Sequence, residues 1–428
     1  MTMPSAETIM LFAIPMFFVL MGVELLAARL MRRRVYRLND AINSIGLGVL
    51  SQVVGVFAKL LTVGFYAWVV ERVALFDLPT DSVWVWIGAL VLYDFCYYWL
   101  HRCGHEVGIL WAAHVVHHQS ERYNLSTALR QTGSGVLLGW LFYLPLAVLG
   151  VPVEVFAVIA VIDLLYQYWI HTELVPKLGW FDRVFASPSN HRVHHAVNDR
   201  YLDRNYGGIF ILWDRWFGTF AEERDDEPVV FGTRAPLRSW NPLWANIEVY
   251  WALAKDAWHA RRWRDKLRVW IAPPGWRPAD VAERFPKPAF DIARPEYDPP
   301  VSTTMRAYAF AQFLLLLALG VDFLGVAARL DALHALAYAG VLLWGLIALG
   351  ALLEGRPWGL VVELPRLALL AAWPMLVARV PGYVGFVDDL SIVLPVLAVA
   401  SLPMLLLAWR GTRALHAPGA PEASPGPL

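Results

Sequence analysis

Residues 9–30 read IMLFAIPMFFVLMGVELLAARL, and Met31-Arg32-Arg33-Arg34 follows at once, with Arg37 close behind. A run of this length can cross a hydrocarbon core, which takes about 17–25 residues. A secretory signal peptide carries its basic residues before the apolar run and a small-residue cleavage site after it, and here the order is reversed. The run therefore reads as an uncleaved first transmembrane helix. The positive-inside rule puts its arginine cluster in the cytoplasm.

Working outward, residues 42–70 and 83–100 give a second and a third apolar run. Counting crossings, the chain is back on the cytoplasmic side at His101. Residues 135–149 and 152–170 are an apolar pair around Gly150, read as a helical hairpin that dips in and returns, so His171 emerges on the same face as His101. Residues 180–304 are mostly polar and include the run Glu222-Glu223-Arg224-Asp225-Asp226-Glu227. Apolar runs resume at 307–326, 332–353, 360–377 and 390–409, and a Pro/Gly/Ala/Ser-rich tail over 417–428 reads as disordered. This pattern predicts an all-α integral membrane protein, a multi-span helical bundle with a cytoplasmic helical cap carrying a His-rich dimetal site. The expected parts are N-terminal transmembrane helices (1–80), a His-box domain (81–222), a polar cytoplasmic segment (223–304), C-terminal transmembrane helices (305–410) and the tail (411–428).

Composition agrees. Of the 428 residues 58% are hydrophobic and 17% charged, against about 45–50% apolar in soluble domains, and the mean hydropathy is +0.46. Lys+Arg and Asp+Glu balance at 36 each, so nothing points to nucleic acid. Cys96 and Cys103 are the two cysteines, too few for a disulfide framework or a Cys-based zinc site. The 21 tryptophans suit a protein that meets membrane interfaces.

Histidine is distributed unevenly. Nine of the 12 lie between His101 and His195. They form His101-x-x-x-His105, His114-x-x-His117-His118, a single His171, and His191-x-x-His194-His195. Positions i, i+3 and i+4 share a helix face, so each cluster can aim its imidazoles at one point. Random placement predicts about 0.01 occurrences of HxxHH in such a chain, and two are present. Neutral imidazole is the commonest protein metal ligand. Eight or nine nitrogens exceed the four of a tetrahedral zinc but suffice for two metals with four or five ligands each. Ligand type alone leaves Fe, Zn, Cu and Ni open. A zincin needs HExxH, whereas Glu106 follows His105 with no histidine at position 109. His259, His334 and His416, standing alone, read as structural.

Asp94 and Asp163 lie about two helical turns before His101 and His171. Acids in apolar helices usually face an interior site, and metal-bound histidines often donate their second N–H to a carboxylate. Both are candidate supports of the metal site, with a helix-packing hydrogen bond as the alternative. Two turns rise about 11 Å, so each would have to reach other ligands than the histidine that follows it. Glu106 adjoins a ligand and is the candidate catalytic acid, either orienting an imidazole or meeting a reductant; a solvated loop charge is the alternative.

At these residues the chain resembles the fatty acid hydroxylase/sterol desaturase superfamily, integral membrane enzymes with HxxxH, HxxHH and HxxHH boxes. The segment from His191 to His195, then Asn205-Tyr206-Gly207-Gly208 and Leu212-Trp213-Asp214-Arg215-Trp216-Phe217-Gly218-Thr219, is similar to that family's C-terminal signature. His101 to Glu106, Leu110-Trp111-Ala112-Ala113-His114 and Tyr123 to Gln131 resemble its alkylglycerol monooxygenase branch. The resemblance covers about residues 80–222. It implies two iron ions held by His101, His105, His114, His117, His118, His171, His191, His194 and His195, with O2 and a membrane lipid as substrates. It also implies oxygen insertion into an alkyl C–H bond, with ether cleavage of alkylglycerols in that branch. Tetrahydrobiopterin is the electron donor the branch implies, although no pterin motif is readable and the donor stays open. Two alternatives stand beside this reading: fatty acid or sterol hydroxylation or desaturation on the same scaffold, and a metal transporter or sensor.

Overall fold

The computed structural model describes residues 6–381, 383–385 and 392–415. His416 and the tail from 416 to 428 lie outside the described residues. Among the described residues seventeen α-helices follow in chain order. They begin with α1 (Ala6–Leu30), α2 (Leu38–Lys59), α3 (Phe65–Val73), α4 (Val83–Glu106), α5 (Gly108–His118) and α6 (Leu125–Ala128). Next come α7 (Leu144–Leu149), α8 (Val153–Trp169), α9 (Pro188–His194), α10 (Leu212–Phe217), α11 (Pro242–His259), α12 (Trp263–Ile271) and α13 (Ala279–Arg284). The last four are α14 (Thr303–Val326), α15 (Ala332–Leu353), α16 (Trp358–Val377) and α17 (Val393–Leu415). Among the described residues no strand forms; two isolated bridges join Phe185 to Phe210 and Ala196 to Phe231.

Among the described residues seven helices are long and apolar enough to cross a membrane, namely those over Thr8–Leu30, Leu38–Ala58, Val83–Glu106, Thr303–Arg329, Ala332–Leu353, Trp358–Val377 and Val393–Leu415. Their outward faces carry large apolar side chains: Phe12, Val361 and Leu407 are 73%, 70% and 62% exposed. Water would not tolerate a surface of that extent, and lipid does. The chain is a multi-pass membrane protein.

The apolar pair around Gly150 departs from the expected hairpin. Its first arm breaks into two short 3-10 turns, Gly135–Leu137 and Gly139–Tyr143, before α7. Glycines at 135 and 139 and Pro145 interrupt a regular helix there. The second arm, α8, has 17 residues, at the lower limit for a span. Gly150 caps α7 at φ +87°, and a Cβ there would sit 1.9 Å from the Phe76 carbonyl oxygen. Glycine alone permits that turn.

The described chain divides into two units. The first covers residues 6–36, 57–237 and 246–294; the second covers 37–56, 238–245 and the described residues between 295 and 415. In the first, Tyr66, Tyr93, Cys96, Tyr143, Leu146 and Ile159 form an apolar core under the His-rich segments. In the second, α14–α17 pack around Met305, Phe313, Phe323, Leu342 and Trp373. Caps set two of its helix starts: Ser302 accepts from Met305 N, and Asp331 from Leu333 N and His334 N. Glu363 and Arg366 pair at i, i+3 inside this bundle at 2.6 Å, both fully buried. Tyr308 Oη donates to Glu363, and Gln312 accepts from Arg366. These added bonds offset part of the cost of burying the charge pair, while Arg366 Nη1 is buried without a hydrogen-bond partner.

Candidate metal centre

The last turns of α4 carry His101 and His105. A sharp reversal at Val107 starts α5, which carries His114, His117 and His118. His171 follows α8. Ser187 caps α9 by accepting from Asn190 N, with Pro188 in the first turn, so α9 is held at the angle that presents His191 and His194, with His195 next.

These four segments bring the nine clustered histidines together. They sort into two groups, His101, His105, His114, His118 and His194, and His117, His171, His191 and His195; within each group the candidate ligand atoms lie within 4.8 Å of one another. That is five and four nitrogens. Eight of the nine rings are buried and His114 is half-buried.

The tautomers are fixed from behind. Nδ1 of His101 donates to Tyr206 O at 2.8 Å, His117 to Arg130 O at 2.9 Å, His171 to Gln167 O at 2.7 Å and His194 to Arg204 O at 2.9 Å. A carbonyl only accepts, so each of these Nδ1 atoms carries the proton and each neutral ring turns a bare Nε2 lone pair inward. The Nε2 atoms of His117 and His171 nonetheless stand 3.2 Å apart. The Nε2 atoms of His194 and His195 are buried without a hydrogen-bond partner. Burial, with the neighbouring imidazoles, holds His114, His118, His171, His191, His194 and His195 well below the usual histidine pKa, and burial brings His117 down to about 4. Neutral rings with converging lone pairs repel one another unless a cation sits between them. The donor set fits a pair of metal ions.

Neither acid singled out from the sequence hydrogen-bonds an imidazole. Asp94 accepts from Ile209 N at 2.6 Å, Phe210 N at 3.1 Å and Trp213 Nε1 at 2.7 Å. It thus holds the loop that follows Tyr206, the acceptor for His101. Asp163 accepts from Gln167 Nε2 at 2.6 Å and reaches His171 only through Gln167. Glu106 is exposed at the end of α4 and pairs with Arg102 at 2.9 Å. His259 bonds Lys255 O and meets the Phe285 ring at a tilt; His334 pairs with Asp331. Asn124 is buried as the α6 cap.

Several supports escaped the sequence reading. Asp203 Oδ1 lies 3.3 Å from His105 Nδ1. Asp214 accepts from Tyr206 N and Gly207 N, both at 2.8 Å, and from Thr219 Oγ1; burial raises its pKa to about 6 against those bonds. Arg130, fully buried, donates from Nε to Val116 O at 2.7 Å. Glu24, buried in α1, accepts from Tyr36 Oη, Thr172 Oγ1 and Leu125 N, and so ties α1 to the segment after His171. An acid inside an apolar run was the available signal for Glu24.

The fatty acid hydroxylase family model matches residues 86–219. Alkylglycerol monooxygenase of Homo sapiens is 36% identical over 357 residues, 83% of this chain and 80% of that protein. The Danio rerio protein of the same name is 38% identical over 340 residues, 78% and 75% of the two chains. Ornithine lipid hydroxylase OlsE of Rhizobium tropici is 32% identical over 136 residues, 31% of this chain and 40% of that one. No solved structure matches. With matches of this extent, and with the matched segment being the one that gathers the imidazoles, the chain belongs to the fatty acid hydroxylase family, as an O2-dependent membrane monooxygenase that hydroxylates lipid.

Proposed function

We propose that the two histidine groups hold two iron ions and that the lipid attacked is an ether lipid of the alkylglycerol kind. The single observation that carries the metal assignment is the convergence of unprotonated Nε2 atoms from four segments. The substrate assignment rests on likeness to proteins named for alkylglycerols over about four-fifths of both chains. Irons held by these histidines would supply the activation of O2 by which one oxygen atom enters a C–H bond and the other leaves as water, with two electrons from a donor and two protons. The chain's own residues do the remaining work. Tyr206, Arg130, Gln167 and Arg204 fix ring orientation through their carbonyls, and Asp94 and Asp214 hold the loop that carries Tyr206. Asp163 supports His171 through Gln167.

Oxygen inserted at the carbon beside the ether oxygen gives a hemiacetal, which collapses to an aldehyde and a glycerol derivative. A tetrahydrobiopterin-type donor fits the same reading, and Glu106, exposed beside His105, is where its contact is placed. The cytoplasmic side is supported by the arginines after α1. Arg33 donates to Glu173 O at 2.7 Å, Arg122 to Arg34 O at 3.1 Å and Asn124 to Val35 O at 2.7 Å. The basic cluster therefore lies against the loops around the histidines, and such clusters face the cytoplasm.

The test is a lipid-class comparison by mass spectrometry of membranes with and without the protein, given O2, iron and alternative reductants. Loss of alkylglycerols with gain of aldehyde is expected. Hydroxylated or unsaturated acyl chains with intact ether lipids would overturn the substrate assignment.

A further inference from the structure

We infer that α12 and the second half of α11 lie in the headgroup layer of the bilayer the protein spans, with anionic lipid phosphate as their partner. In α12, Trp263, Leu267 and Ile271 fall at i, i+4 and i+8 on one stripe. They are 78%, 69% and 67% exposed, while Val269 on the opposite side is the buried residue. A helix that uses its apolar stripe to pack on its own protein buries that stripe; here it faces outward. Trp251 and Trp258 of α11 extend the surface, at 53% and 80% exposed.

The flanking charge is one-sided. Arg261, Arg262 and Arg264 are exposed, and Arg268 lies over the Trp276 ring at 4.6 Å. Of the nearby acids, Asp256 is buried and committed to Arg277 at 2.8 Å, Asp280 accepts from Arg261 N at 3.2 Å and pairs with Arg284 at 3.0 Å, and Asp265 is half-buried. Tryptophan and leucine on one face with arginine beside them is the pattern of a helix lying about 5–10 Å into the headgroup and acyl boundary.

The height in the bilayer is set by a second, independent contact. Gly108 N donates to Ala272 O, just after α12, at 2.9 Å. A Cβ at Gly108 would stand 3.0 Å from Val269 O and 3.2 Å from Ala272 O, so a side chain there would press on the end of α12. Gly108 comes two residues after Glu106, the end of a candidate span. The helix α12 is thus fastened where α4 leaves the bilayer. Gly108 also begins α5, so the lipid-facing element is bonded to the helix that carries His114, His117 and His118. This goes beyond the proposed function and does not depend on the lipid attacked.

The test places a nitroxide at Leu267→Cys, and separately at Trp263→Cys and Ile271→Cys, in the full chain. The samples are nanodiscs of phosphatidylcholine with phosphatidylglycerol. Asp225→Cys is the aqueous reference and the labelled parent chain supplies the background from Cys96 and Cys103. The ratio of O2 to nickel-chelate accessibility at each of the three sites should exceed that at 225 by about threefold or more, and should fall when phosphatidylglycerol is omitted. Equal ratios at 267 and 225 would overturn the proposal. So would dipolar broadening at 267 that disappears on dilution with unlabelled chain, because a second copy would then cover the face. A ratio indifferent to phosphatidylglycerol would overturn the anionic partner.

Discussion

Asp203 Oδ1 stands 3.3 Å from Nδ1 of His105, 98 residues earlier in the chain, and gives the five-histidine group a carboxylate behind one of its rings. Asp203 adopts φ +57° to do so, a conformation that Asp and Asn accept more readily than other side chains. A carboxylate there fixes the orientation of the ring. Asp203→Ala is expected to lower metal retention or turnover by about 10–100-fold. Chelator titration with metal analysis checks this, and a wild-type profile would contradict it.

Gly208 leaves room for the two acids noted in the sequence. A Cβ at 208 would stand 2.9 Å from Asp94 Oδ1, 2.9 Å from Asp163 Oδ1 and 2.8 Å from Tyr97 Cδ1. Asp94 is fixed by three donors and can hardly retreat. Gly208→Ala should therefore cost about 1–3 kcal/mol, the usual cost of overpacking, read as a lower melting temperature in detergent. An unchanged melting temperature would show that the loop is looser than described.

The metal-free protein should lose stability in acid. His117 has its pKa at about 4 in the folded chain, brought down from 6.5 by burial. Between those values the unfolded chain binds the extra proton and the folded chain does not, so stability rises with pH across this window. The other buried histidines outside the spans shift in the same direction. Chelator-treated protein should melt at progressively lower temperature as pH falls from about 6.5 toward 4. A flat or opposite trend would mean the rings are not buried as neutral groups.

Glu106→Gln separates a reductant contact from a surface ion pair. An exposed pair such as Arg102–Glu106 contributes about 0–1 kcal/mol, so folding and metal content should hold. The expected change is a higher KM for the reductant with KM for lipid unaltered. Wild-type kinetics for both substrates would leave Glu106 with only its bond to Arg102.

Much of this architecture was legible in the residues. Apolar length alone located the long helices, because backbone polar groups in lipid have no partner but their own helix. The spacing of the histidines anticipated their convergence, and the division into five and four nitrogens matches the arithmetic of two ions. What periodicity does not carry was missed. The carbonyls behind His101, His117 and His194 belong to loops folded over the site, and Asp203 reaches His105 only because of a left-handed turn. Asp94, a candidate support of the metal site by its place in an apolar helix with a packing hydrogen bond as the alternative, serves a backbone loop, a distinction that depends on where Ile209 and Phe210 lie. Residues 135–149 read as one apolar arm, yet their glycines and Pro145 divide it. Residues 223–304 read as a polar cytoplasmic segment, and the average over that stretch carries no trace of the exposed apolar stripe of α12.

Metal analysis of the purified chain, alongside His117→Ala and His194→Ala, addresses the central claim most directly. The account predicts about two iron ions per wild-type chain, with metal and O2-dependent turnover lost in either variant while membrane insertion is retained. Full turnover in either variant, or an active wild-type chain without iron, would contradict it.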